Sequence, residues 1–63
     1  MFKEYELVKL TKDIPSVRLK AGARGTIVMV YPDYPGVYEV EFLDPDGRTL
    51  ALLTLQEEDL ERY

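Results

Sequence analysis

Hydrophobic residues along this chain fall into four runs of strand length, separated by turn-forming residues, and no stretch repeats apolar side chains at the three- and four-residue spacing of a helix. The pattern predicts an all-β chain. A first strand is expected over Glu4–Leu10, followed by a polar excursion, Thr11–Ala23, in which Pro15 forbids regular pairing and Gly22 and Gly25 bracket a turn. The second strand, Thr26–Tyr31, is dense in the β-branched residues that suit a pleated surface and is apolar on both faces. Tyr31–Gly36 contains Pro32 and Pro35 and reads as a loop.

The third strand, Val37–Leu43, alternates cleanly. Tyr38, Val40 and Phe42 fall on one side and Glu39 and Glu41 on the other, as in a half-buried strand. Asp44-Pro45-Asp46-Gly47 has proline where a type I turn takes it and glycine at the left-handed position of a bulged hairpin, so it joins the third strand to a fourth, Arg48–Thr54. Thr54-Leu55-Gln56-Glu57 matches a capping box, predicting one helical or 3₁₀ turn near Gln56–Leu60 and a short last strand ending at Tyr63. Expected core residues are Val8, Leu10, Val28, Val30, Tyr38, Val40, Phe42, Ala51, Leu53 and Leu55.

Five short strands with a long first connection and a 3₁₀ turn before the last strand give the order of a small five-stranded SH3-like barrel, a closed form that largely removes exposed sheet edges. With 63 residues there is room for one core, so the expectation is a single domain over residues 1–63. Cysteine is absent, which leaves packing or association to supply the stability that disulfides give other small domains. The opening Met1-Phe2-Lys3-Glu4-Tyr5 holds no apolar run of signal-peptide length, and no stretch is long and apolar enough to span a bilayer, which points to the cytoplasm.

Several blocks carry a family resemblance: Leu19-Lys20-Ala21-Gly22, Gly25-Thr26-Ile27-Val28, Tyr38-Glu39-Val40-Glu41-Phe42, Asp46-Gly47, and Ala51-Leu52-Leu53-Thr54-Leu55 with Asp59-Leu60. Through them the chain resembles the small bacterial domain-of-unknown-function 4926 family over nearly its whole length. The resemblance implies an SH3-like barrel and no assigned activity. It also implies a neighbouring small gene, in an arrangement similar to a toxin and antitoxin pair, with this chain as the antitoxin-like or immunity-like member. Met29 departs from the family's usual polar residue at that position.

Catalytic chemistry is poorly supplied. There is no histidine and no cysteine, and Ser16, the one serine, has no partner to activate it. No catalytic, cofactor-binding or metal-binding residues are assigned: Asp44–Gly47 begins like a calcium loop but has Leu55 where the closing glutamate belongs. Gly22–Gly25 lacks the Gly-Lys-Ser/Thr ending of a phosphate loop.

Charge separates the remaining readings. Up to Arg24 the chain carries +3 and from Gly25 onward −7, giving the net −4. Lys12, Arg18, Lys20 and Arg24 crowd the first loop and form the candidate nucleic-acid surface, with Tyr31 and Tyr34 available for stacking. Against that reading, the chain as a whole is acidic, with an isoelectric point near 4.6. The tyrosines also suit a proline-peptide groove or a methyl-lysine cage, but tryptophan is absent and the first loop is basic. Protein association has positive support. With the core filled as above, Met29, Val37, Leu50 and Leu52 lie on outer faces, and an outward apolar surface on a small protein calls for a partner, a second copy, or cover from the first loop.

Overall fold

The computed structural model describes residues 1–63 as five antiparallel strands in one sheet, with a 3₁₀ turn before the last strand. The strands are β1 (Leu7–Leu10), β2 (Arg24–Val30), β3 (Val37–Leu43), β4 (Thr49–Gln56) and β5 (Leu60–Arg62). Their order across the sheet is β4-β3-β2-β1-β5, that of an SH3-like barrel left open along the seam between β4 and β5. No helix is long and apolar enough to cross a membrane.

The third strand and the turn after it form as their residues dictate. Val37–Leu43 is β3 with Tyr38, Val40 and Phe42 buried, and Gly47 takes the left-handed backbone at φ +84°. Asp44 Oδ1 accepts from the backbone N–H groups of Asp46 and Arg48, at 2.9 and 2.8 Å, so this carboxylate builds the turn. Elsewhere the boundaries move. The first strand begins at Leu7 instead of Glu4, because Tyr5 sits at φ +68° and interrupts the extended backbone. The capping interaction uses Asp59, whose carboxylate accepts from the Gln56 N–H at 3.0 Å, while Thr54 remains in β4 and its hydroxyl donates to Glu39.

Gly22 makes the expected turn at φ +90°, but Gly25 does not. It lies inside β2, opposite Val8 on one side and Phe42 on the other. A Cβ there would stand 2.8 Å from both Phe42 Cε2 and Val40 Cγ1. The glycine lets two neighbouring core side chains close over the backbone. Gly25→Ala should therefore cost about 1–3 kcal/mol through overpacking, read as a lowered urea midpoint with unchanged slope.

The core consists of Phe2, Val8, Leu10, Leu19, Ile27, Tyr38, Val40, Phe42, Leu55 and Leu60, with Ile14, Val17, Ala23, Val30, Ala51 and Leu53 packed against it. Val28 was expected inside and is not. The β2–β3 register runs Ile27 opposite Val40 and then Met29 opposite Glu39, so Val28 is the extra residue of a bulge. The bulge inverts the side-chain parity, placing Gly25 and Ile27 inward before it and Val30 inward after it.

Candidate protein-binding face

β3, paired on both sides by β2 and β4, sets the chemistry of this part of the sheet's outer face. Inward residues alternate with outward Glu39, Glu41 and Leu43, and the pairing register extends these into rows. One row is Met29, Glu39, Thr54, and the next is Leu7, Thr26, Glu41, Leu52. Glu39 Oε1 accepts from the Thr54 hydroxyl at 2.6 Å and from the Tyr31 hydroxyl at 3.1 Å. Glu41 Oε2 accepts from the Thr49 hydroxyl at 2.9 Å.

The four expected interface residues all stay on the outside, with Met29 44% exposed, Leu50 and Leu52 each 55%, and Val37 half-buried. They do not form one patch. The Glu39 and Glu41 carboxylates stand between Met29 on β2 and Leu52 on β4. Leu50 instead shares one end of the sheet with Leu7, Leu43 and Tyr63, all exposed, while Leu52 stands beside Glu41 in the neighbouring row. There an open cleft of about 570 Å³ is lined by Leu7, Arg24, Glu41, Leu43, Leu50 and Tyr63, among others. Leu50 is displaced into it by a second irregularity, because Phe42 pairs with Ala51 while Leu43 pairs with Thr49. Arg24 forms one wall: Nη1 donates to the Tyr63 hydroxyl at 2.8 Å, and the guanidinium carbon lies 5.1 Å from the ring centroid.

Leu7, Leu43 and Tyr63 add to this face beyond the residues expected from the sequence. Alternation around Val8 marks Leu7 as outward and alternation around Phe42 does the same for Leu43, so the signal was present for both. Tyr63 joins them only through the tertiary packing of the chain end. The first loop leaves this face open. Leu19 enters the core, and Ile14 and Val17 pack against that same core, while Leu19, Gly22 and Ala23 also line the cleft and none of the three covers Leu50 or Leu52, which stay exposed.

The four basic candidates are divided. Lys12 pairs with Asp59 at 2.9 Å, and Arg24 is held on Tyr63. Arg18 and Lys20 are exposed and make no ion pair, Arg18 in a left-handed backbone after the Pro15–Val17 turn.

Elsewhere, polar contacts tie the chain's ends to the sheet. The buried Tyr38 hydroxyl accepts from the Phe2 N–H at 3.0 Å and donates to Glu57; burial pushes this phenol up from its ordinary pKa, with the Glu57 carboxylate adding to the shift. The Lys3 N–H and the Arg62 guanidinium hold Glu6 below the usual carboxylate range. Burial alone would raise Asp59, but the Gln56 N–H and the Lys12 ammonium outweigh it and leave that carboxyl lowered.

The profile of a domain of unknown function (DUF4926) matches residues 4–62. The chain belongs to this family. Searches of the curated proteins and of the solved structures return no match. For this family member the match spans all five strands.

Proposed function

We propose that this chain is a non-catalytic protein-binding module that associates through its outer β4 surface, with Leu50 and Leu52 at the centre of the contact. The supporting observation is the exposure of both leucines beside an open cleft. Docking there buries an apolar centre bordered by Glu41 and Arg24, the arrangement of hydrophobic core and polar rim that specific interfaces use. A partner is either a second copy or a small protein such as the product of a neighbouring gene, with this chain in an antitoxin-like or immunity-like role in the cytoplasm. Nucleic acid is a weaker fit, because two of the four basic side chains are already engaged within the fold.

Replacing Leu50 and Leu52 together by serine should leave the circular dichroism spectrum unchanged and abolish the complex. Affinity purification from the source cell, with the retained proteins identified and then re-tested pure against both variants, measures this. Equal binding by wild type and double variant would overturn the reading.

A further inference from the structure

The sheet has two edges, and they differ. β5 is three residues long, Leu60–Arg62, and carries Glu61 and Arg62, so it is short and charged as protected edges usually are. β4 is eight residues long, Thr-Leu-Ala-Leu-Leu-Thr-Leu-Gln, without a charge or a proline. Its backbone phase follows from one bond. The Glu57 N–H donates to the Gly36 carbonyl, so the hydrogen-bonded partners of β3 are Leu55, Leu53 and Ala51, opposite Tyr38, Val40 and Phe42. Leu52 and Thr54 therefore aim their N–H and C=O groups away from the sheet, and neither residue's backbone takes part in a turn, loop or cap bond. The Gln56 N–H is satisfied by Asp59 and closes this free stretch.

The flanking charges select the occupant. Arg48 lies just before β4 and Glu58 in the 3₁₀ turn that follows it, both exposed. Antiparallel pairing of two β4 strands about a twofold axis brings each Arg48 toward Glu58 of the second copy, whereas a parallel arrangement sets like against like. The strip between them is uncharged, so two copies of a chain with net charge −4 meet without apposing carboxylates.

We propose that the free edge of β4 pairs antiparallel with β4 of a second copy, joining two five-stranded sheets through the backbone of Leu52 and Thr54. The inference rests on the protein-binding reading above and names the partner. Outward Leu50 and Leu52 then lie beside the seam, where they add apolar contact to the backbone bonds.

Thr54→Pro tests it, because that residue's N–H faces outward and its loss spares the β3–β4 ladder, while Thr54→Ala removes the hydroxyl and keeps the N–H. In sedimentation equilibrium, wild type and Thr54→Ala are expected to dimerise alike and Thr54→Pro to lose at least tenfold in association. Should Thr54→Pro fail to fold, amide exchange on the wild type decides: the Leu52 and Thr54 amides should slow as concentration rises. A wild type that stays monomeric, a Thr54→Pro chain that dimerises like wild type, or exchange at those amides independent of concentration would each overturn strand pairing. If the wild type is monomeric yet binds a different protein through Leu50 and Leu52, strand pairing falls and the protein-binding reading stands; if it binds nothing, both fall.

Discussion

Phe42→Ala is expected to unfold a large fraction of the molecules at room temperature. The ring is 1% exposed on β3, an interior strand, opposite Gly25 on β2 and Ala51 on β4. Both of those neighbours are too small to move into the space the ring would leave. Truncating such a phenylalanine costs about 3–5 kcal/mol. A chain of 63 residues holds only about 3–9 kcal/mol of net stability. Its neighbour Glu41 points outward and bonds to Thr49, so Glu41→Ala should shift stability by about 0.5 kcal/mol or less. Urea titration of the two variants gives the contrast directly, and equal midpoints would show that the faces of β3 are reversed.

The second large effect distinguishes adjacent residues of β2. Ile27 is fully buried, and Ile27→Ala should cost about 2–5 kcal/mol. Val28 occupies the bulge and is half-buried, so Val28→Ala should cost distinctly less, about 1 kcal/mol. A Val28 variant less stable than the Ile27 variant would place the bulge elsewhere. The comparison matters for function as well as stability, because the bulge fixes which β2 side chains face outward with Met29.

This pair of residues also shows how far the sequence can be read. β3 was legible because its alternation of Tyr38, Val40 and Phe42 with Glu39 and Glu41 leaves one possible inner face. β2 was not, because Thr26–Tyr31 is apolar at nearly every position and any parity fits it, so Val28 was placed inside in place of Ile27. Gly25 was read as a turn residue for a related reason: a missing side chain signals a positive φ and a close approach equally well, and only the positions of Phe42 and Val40 tell them apart. Phe2 enters the core although it precedes every strand, its ring edge-on to Tyr38 at 5.5 Å between centroids, and no local pattern marks such a long-range contact.

The candidate face was legible in part for the same reasons. Leu50 and Leu52 were identified as outward by counting from Ala51 and Leu53. The separation of Leu52 from Met29 by the β3 glutamates, and the grouping of Leu50 with Leu7, Leu43 and Tyr63, depend on strand order and curvature, which the pattern along one strand does not encode. The uneven protection of the two sheet edges likewise became visible once β4 and β5 were both placed at the margins.

Whether this chain meets other proteins through β4 is decided by nuclear magnetic resonance. The nitrogen-15-labelled chain is titrated with unlabelled chain, and separately with any protein retained by wild type but not by the Leu50 and Leu52 double variant. Amide shifts are expected to concentrate on Leu50–Gln56, with smaller changes at Leu7, Leu43 and Tyr63. Changes centred on Lys12–Arg24, or a spectrum unaltered by either titration, would contradict association through β4.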